Sequence, residues 1–219
     1  MLDTTTNLQV TRVLGKLDEA LQAEDAEAAA EVFQDDCYWR DLVSFTWNIK
    51  TMEGKAQVRE MLEKQLAHIK PSNWEIAEGE PASEEDGVIT ACITFETAVA
   101  RGYGLIRVRD GKIWTLLTTM VEIKGHEEAK GFDRPLGAKH GAEKNRPTWK
   151  EERDQEAREL GYKKQPYVVI VGGGQGGIAL GARLRQLGVP AIIVEKNDRP
   201  GDSWRRRYKS LCLHDPVSA

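Results

Sequence analysis

A glycine-rich turn at the start of the last quarter of the sequence carries the residue pattern with the clearest chemistry. Three of its glycines match GxGxxG, and the turn directly follows the apolar run 167–171. Such glycines allow a tight turn from a strand into a helix. They also let the backbone approach a pyrophosphate, which the N–H groups of the helix N-terminus then bind. The predicted phosphate-binding residues are Gly172, Gly174, Gln175, Gly176 and Gly177.

The residues after the turn supply the context that this motif requires. The segment 178–187 has the apolar face of a helix, and 191–194 is a second apolar run that ends at Glu195, 18 residues past Gly177. An acid at this point accepts hydrogen bonds from the hydroxyls of an adenosine ribose and repels a 2′-phosphate. The pattern therefore favours FAD or NAD over NADP, and a glycine-rich turn that binds nothing is the alternative.

The residues after Glu195 resemble the flavin-containing monooxygenase family. In that family a Gly-Gly-x-Trp turn follows the ribose-binding acid, and an Arg-Tyr pair and a Leu-x-Leu-His strand come next. The matching residues are Gly201-Asp202-Ser203-Trp204, Arg207-Tyr208 and Leu211-Cys212-Leu213-His214. Asp202 stands where the family has its second glycine, and the resemblance covers residues 166–219.

This resemblance implies FAD as the cofactor and NADPH as a co-substrate, whose site is not present in this chain. The predicted cofactor-binding residues further include Lys196, Trp204 and Arg207. Core packing is the alternative for Trp204, and a solvated basic turn is the alternative for Arg207. An NAD-linked dehydrogenase would lack the Gly-x-x-Trp turn, and a disulfide reductase would need a CxxC or CxxxxC pair that this sequence lacks.

The first 124 residues predict an α+β domain. Apolar residues recur at three- and four-residue spacing in 10–21 and in 58–69, and a short helix rich in Ala and Glu is expected over 26–33. Strands are expected at 37–43, 74–77, 88–100, 103–109 and 112–123. Asp110-Gly111 predicts a two-residue hairpin turn, because that turn needs positive φ.

This order of elements resembles the NTF2-like (SnoaL-like) family over roughly residues 8–124. The residues that support the resemblance are Phe33, Asp36, Trp39-Arg40-Asp41 and Gly54. It implies a strongly curved sheet that wraps around the helices as a cone. The predicted fold class is an NTF2-like α+β cone domain (1–124), followed by an incomplete α/β Rossmann-type unit (166–219), the N-terminal βαβ of an FAD-binding domain. That combination also resembles a subgroup of fungal and bacterial monooxygenases.

Residues 125–165 predict a charged linker between these two parts. Nineteen of the 41 residues are charged, and long apolar runs are missing. Thr148 and Glu151 form a capping-box pair, and Leu160-Gly161 is typical of a helix end, so a short helix is expected between them.

Several residues of the first domain could line the interior of the cone: Trp39, Asp41, Trp47, Arg101 and Tyr103. Some relatives of this fold use an Asp and a Tyr for acid–base work on ketones. An aromatic core with a surface acid is the favoured alternative, and no catalytic residue is predicted.

Composition excludes several classes of function. The net charge is −4, with 13 basic and 22 acidic residues in 1–124 and 8 basic and 4 acidic residues in 166–219, which gives no basic stripe for nucleic acid. The longest apolar run is far shorter than the roughly 20 residues that span a membrane. Three cysteines without CxxC spacing suit a reducing compartment, and we expect a cytoplasmic protein. The histidines show no metal-ligand spacing.

The sequence therefore predicts the N-terminal portion of an FAD-dependent, NAD(P)H-using monooxygenase that oxygenates a small organic substrate. Oxygenation at nitrogen, sulfur or carbon and Baeyer–Villiger insertion all stay open. The alternative is an NTF2-like binding or dimerisation module, a homodimer that carries a vestigial dinucleotide-binding segment. The 219-residue chain alone is expected to be inactive and not to retain flavin, because a dinucleotide site needs both halves of a doubly wound sheet.

Overall fold

The computed structural model describes residues 4–134, 141, 144–199 and 201–207. The chain divides into two compact units, Met1–Glu127 and Glu128–Ala219. We describe each unit by itself.

The first unit combines three helices with a sheet, as the α+β prediction requires. Its helices are α1 (Thr4–Gln22), α2 (Ala26–Glu31) and α3 (Gly54–Ile69). Its strands are β1 (Phe33–Leu42), β2 (Ile49–Glu53), β3 (Ser72–Ile76), β4 (Ser83–Glu85), β5 (Val88–Glu96), β6 (Ala100–Arg109) and β7 (Lys112–Ile123). Within the described residues these strands form one sheet in the order β2-β1-β7-β6-β5-β3, and β4 pairs with β5.

The helices of this unit follow from their apolar faces and their ends. The apolar positions of α1 and α3 are buried in one core with the inward side chains of the sheet. Asp25 caps α2 by accepting a hydrogen bond from the Ala28 N–H at 2.9 Å. Lys70 ends α3 in the left-handed region with φ +47°, directly before Pro71.

The hairpin between β6 and β7 confirms the turn prediction. Asp110 and Gly111 both have positive φ (51° and 71°), and Arg109 pairs with Lys112 across them. In contrast, the sequence patterns did not indicate β2 and β4. Only Met52 of β2 is buried, and β4 is exposed throughout, so neither strand has the alternation that marks a half-buried strand.

The second unit contains a βαβ arrangement preceded by a charged helix. Its elements are a short 3₁₀ helix (Gly131–Asp133), α4 (Trp149–Glu159), β8 (Val168–Val171), α5 (Gln175–Gln186), β9 (Ala191–Val194) and α6 (Asp202–Arg205). Strands β8 and β9 pair in parallel, with Val168 opposite Ala191. The predicted capping box of Thr148 and Glu151 is present at the start of α4.

Strand β8 is less buried than its apolar sequence suggests. Ile170 is buried, but Val169 and Val171 are 57% and 88% exposed, so among the described residues the strand is not buried on both faces, although a continuous apolar run in a parallel sheet predicts such burial. The physical reason is that α5 packs on one face only, where Gly181 lies against Ile193. The other face of the strand pair keeps an apolar surface.

Candidate functional site

The glycine turn joins β8 to α5 through two positions that need glycine. Gly172 has φ +105°, and its N–H donates to the carbonyl of Val194 at 2.8 Å. At Gly177 a Cβ would lie 1.8 Å from the carbonyl oxygen of Gly172, so a side chain there would displace the helix from the turn. The N-terminus of α5 therefore approaches the end of β8 more closely than any other residue type would allow.

The first turn of α5 offers backbone donors. Gly174 precedes the helix in an extended conformation, and Ile178 makes the first intrahelical bond back to its carbonyl at 2.9 Å. Gln175 and Gly176 are exposed. Because the first N–H groups of a helix have no intrahelical acceptor, this end carries partial positive charge that suits an anion.

Glu195, at the carboxyl end of β9, meets this turn. Its Oε2 accepts a hydrogen bond from the Gly173 N–H at 2.5 Å. Its Oε1 accepts from the backbone N–H and the side-chain Nδ2 of Asn197 at 2.9 and 2.6 Å. The backbone N–H groups of Asn197 and Gly173 lower the pKa of Glu195, so the carboxylate stays ionised beside the turn.

The segment after β9 returns to the glycine turn. Gly201 donates from its N–H to the carbonyl of Gly173 at 3.1 Å. Directly after it, α6 carries Trp204, and the guanidinium of Arg207 lies 4.6 Å from the centre of the Trp204 indole. The predicted residue Lys196 is exposed.

Asp202 is buried, although the sequence singled it out only as a departure from the family motif. It is 4% exposed, and its Oδ1 accepts from Arg199 Nε at 3.2 Å and from Arg205 Nη1 at 3.0 Å. Burial opposes ionisation, but the bonds and charges of these arginines outweigh it and lower the pKa of Asp202. The spacing of an acid and arginines three residues apart is the sequence signal that could have indicated this cluster.

The remaining motif residues lie outside the described residues. They are Tyr208, Leu211, Cys212, Leu213 and His214.

The interior of the first unit is filled by aromatic rings. Five buried side chains form this aromatic cluster: Phe33, Trp39, Phe45, Trp74 and Phe95. The rings of Trp74 and Phe95 stack with centroids 4.7 Å apart, and Trp39 meets Phe45 edge-on at 4.9 Å. The structure thus supports the packing alternative for Trp39.

Asp41 is a structural carboxylate of this interior. Its Oδ1 accepts from the Thr118 hydroxyl at 2.8 Å, and its Oδ2 accepts from the Thr46 N–H and hydroxyl at 2.8 and 2.7 Å. Both oxygens also accept from the Phe45 N–H. These hydrogen bonds hold the loop between β1 and β2 and use the acceptor positions of the carboxylate. Asp41 is therefore a poor candidate for a general base.

The other three proposed pocket residues do not enter the interior. Trp47 is exposed. Arg101 bonds to two glutamates and Tyr103 bonds to Glu80 at 2.9 Å, and both alternate along β6 with buried neighbours. For these three side chains the structure therefore agrees with the favoured alternative, in which they do not line a pocket.

Clusters of metal ligands and membrane-spanning helices are both absent from the part of the chain that the structure describes. No group of three or more His, Cys, Asp or Glu side chains there is arranged to hold a metal ion. None of the described helices has both the length and the apolar character needed to cross a bilayer.

One family model matches most of the first unit. Residues 15–116 match the family model described as the SnoaL-like domain.

Two curated relatives match shorter stretches. A CzcO-like oxidoreductase of Geobacillus kaustophilus is 45% identical over 49 residues, which cover 22% of this chain and 14% of the relative. The indole-3-pyruvate monooxygenase YUCCA1 of Oryza sativa subsp. japonica is 46% identical over 52 residues, which cover 23% of this chain and 13% of the relative. The chain thus spans about one-seventh of the length of these proteins.

Similar solved structures include an NTF2-like protein of Cytophaga hutchinsonii, with a TM-score of 0.36 and 16% identity over 51% of this chain and 88% of that chain. An LEH-like epoxide hydrolase of Mycobacterium tuberculosis has a TM-score of 0.38 and 15% identity over 52% of this chain and 84% of that chain. The α+β architecture of the first unit agrees with the similarity of residues 15–116 to the SnoaL-like domain.

Proposed function

We propose that this chain is part of an FAD-dependent, NAD(P)H-using monooxygenase, and that β8, α5 and β9 bind the ADP part of FAD. The observation that carries the proposal is the 2.5 Å contact between Glu195 Oε2 and the Gly173 N–H. It brings a ribose-binding type of acid to the end of α5 where a pyrophosphate would bind. The short stretches shared with an oxidoreductase and a monooxygenase support the same lineage.

The residues present fit this group. Apart from Gln175, every residue from Gly172 to Gly177 is a glycine, so the backbone N–H groups at the start of α5 stay accessible, as a cradle for phosphates requires. In this proposal Gly172 shapes the turn, because its N–H is bonded to the Val194 carbonyl. The phosphate contacts come from Gly174, Gln175, Gly176 and Gly177, and the ribose contact comes from Glu195. FAD, when bound, supplies the hydride acceptor and the centre that activates oxygen.

The remaining predicted residues have supporting roles in the proposal. Lys196 and Arg207 supply positive charge near the cofactor phosphates, and Trp204 packs beside them, where Arg207 already lies against its ring. Asn197 and Gly173 keep Glu195 ionised and aligned. The side chains of the unit thus bind and orient the cofactor, and we assign no catalytic residue.

A titration with ADP tests this proposal, because ADP carries only the groups that this unit would contact. The amide NMR signals of the isotope-labelled 219-residue chain should shift at the glycine turn and at Asn197 as ADP is added. Adenosine, which lacks the pyrophosphate, should shift the glycine turn much less. Failure of millimolar ADP to move any signal of the turn would refute the proposal.

A variant that adds a negative charge to the glycine turn provides a second test of the ADP site. Gly174→Asp places a carboxylate at the start of α5, where a Cβ would have only one distant neighbour, so the variant should fold but repel the pyrophosphate. We expect at least about a tenfold loss of ADP affinity. The matched control is Gln165→Asp, which adds the same charge at an exposed position away from the turn.

An NTF2-like binding or dimerisation module is the second candidate. The observation that favours it is the outer edge of the sheet, where Ile49 of β2 is 62% exposed and Tyr38 of β1 is also exposed. Light scattering after gel filtration measures the mass directly, and a dimer should show twice the 24.5 kDa of one chain. Replacing Ile49 with Asp should then restore the single-chain mass, and a monomer at all concentrations would contradict dimerisation.

A further inference from the structure

Glu195 stands at one end of a continuous path of polar contacts that ends at the buried Asp202. The path runs through Asn197 and Arg206, which the motif does not contain. Each step is a hydrogen bond or an ion pair between side chains. This arrangement suggests that residues beyond the motif control the direction of the Glu195 carboxylate.

Asn197 holds one oxygen of that carboxylate. Its backbone N–H and its Nδ2 both donate to Glu195 Oε1, at 2.9 and 2.6 Å. Its Oδ1 in turn accepts from Arg206 Nη1 at 3.0 Å. Because a carboxamide donates only from nitrogen and accepts only at oxygen, the arginine fixes which end of Asn197 faces Glu195.

Arg206 is itself held by two acidic residues, Asp198 and Asp202. Its Nη2 lies 3.4 Å from Asp198 Oδ2 and 3.9 Å from Asp202 Oδ2, and its backbone N–H donates to the Asp202 carbonyl at 3.0 Å. Asp202 is buried and also binds Arg199 and Arg205, so it anchors this end of the path. A glycine at position 202 would provide no such anchor.

The hydrogen bonds of Glu195 are divided unequally between its two oxygens. Asn197 donates twice to Oε1 and Gly173 donates once to Oε2, and the backbone N–H of Lys196 also bonds the carboxylate. Each carboxylate oxygen accepts more than one hydrogen bond, so Oε2, which lies beside the glycine turn, can also accept from a ligand hydroxyl. An acid at the end of the second strand characteristically bonds the ribose 2′-hydroxyl of an adenosine cofactor.

We propose that Asn197 and Arg206, anchored by Asp202, are positioning residues that aim Oε2 of Glu195 at the 2′-hydroxyl of the adenosine ribose. They thereby set the discrimination between ribose and deoxyribose. The inference rests on the proposed ADP site. Neither residue touches the nucleotide, since both act through Glu195.

The test compares the affinities of the 219-residue chain for ADP and for 2′-deoxy-ADP, measured by NMR titration. The unaltered chain should prefer ADP by about tenfold, the effect of one hydrogen bond to a charged acceptor. Asn197→Ala should reduce the preference to about twofold. It should lower the affinity for ADP and leave the affinity for 2′-deoxy-ADP nearly constant. If Asn197 had only a structural role, its replacement would lower the affinities for both nucleotides equally.

Arg206→Ala should reduce the preference in the same way, and Arg206→Lys should restore most of it, because a lysine keeps the charge between the two acids and one donor. The matched controls are Gln165→Ala, which removes another carboxamide, and Arg158→Ala, which removes another arginine, both at exposed positions of the second unit. Both controls should keep the full preference.

The possible outcomes separate this inference from the proposed function. Suppose that the unaltered chain prefers ADP, and that the Asn197 and Arg206 variants either keep this preference or lose affinity for both nucleotides equally. The positioning role is then overturned, and the ADP site stands. If the chain binds ADP and 2′-deoxy-ADP equally, the positioning role is likewise overturned. If the chain binds neither nucleotide, both proposals are overturned.

Discussion

The local hydrogen bonds of Glu195 change its pKa, which can be measured. Backbone N–H groups of Asn197 and Gly173 bond the charged form and lower the pKa of the carboxyl. A depressed pKa contributes stability that is present above the ordinary glutamate value of about 4.3 and that disappears as the pH falls through the depressed pKa. Lowering the pH therefore breaks these hydrogen bonds only at pH values below the ordinary pKa of glutamate.

We predict that the side-chain carboxyl carbon of Glu195 titrates below an ordinary glutamate when it is followed by NMR. Asn197→Ala should move the midpoint upward, because it removes the side-chain donor to Oε1. The Gln165→Ala control should leave it unchanged. A midpoint at or above the ordinary value would show that the carboxylate is not held as described.

Asp41 supports a second prediction for a single residue. Asp41→Ala removes the acceptor of the Thr118 and Thr46 hydroxyls and of three backbone N–H groups, and it leaves these donors buried. We expect a loss of about 3 kcal/mol or more in the free energy of unfolding. Urea denaturation followed by tryptophan fluorescence measures this loss. Asp35→Ala, a change at an exposed acid, should alter stability little, and an equally small effect of Asp41→Ala would contradict its structural role.

Two neighbouring glycines of α5 test how tightly the helix is joined to the turn. Gly177→Ala puts a Cβ within 1.8 Å of the Gly172 carbonyl oxygen, so it should destabilise the second unit by about 2 kcal/mol. Gly176→Ala meets no atom within 4 Å and replaces a poor helix former, so it should be neutral or slightly stabilising. Thermal unfolding followed by the amide signals of β8 and β9 distinguishes the two. Equal stability of both variants would show that the close approach at Gly177 is absent in solution.

The secondary structure of the chain was largely predictable where its signals are local. The helical spacing of α1 and α3, the Asp110-Gly111 turn and the capping box of α4 all appear as expected. The short helix expected over 26–33 ends earlier, at Glu31, because Phe33 already starts β1. Strands β2 and β4 gave no signal, since cross-strand pairing rather than side-chain pattern creates them.

At the scale of the whole chain, the second unit has a single pair of parallel strands among its described residues. Such a unit can contact the ADP part of a dinucleotide, but a flavin ring is held by the second half of a doubly wound sheet. We therefore expect the 219-residue chain to purify without stoichiometric flavin absorbance, even when FAD is added during purification. A yellow chain with one flavin per molecule would contradict this expectation.

The sequence by itself determined the features that depend on neighbouring residues: the glycine turn, the order of strand, helix and strand, and the acid that follows. These features need only backbone geometry and spacing, which are local. Only the tertiary structure decided that Asp41 is fully bonded, that Val169 and Val171 stay exposed, and that Asp202 gathers three arginines. Burial and hydrogen-bond partners depend on which elements pack together, and residues as far apart as Asp41 and Thr118 meet only in the folded chain.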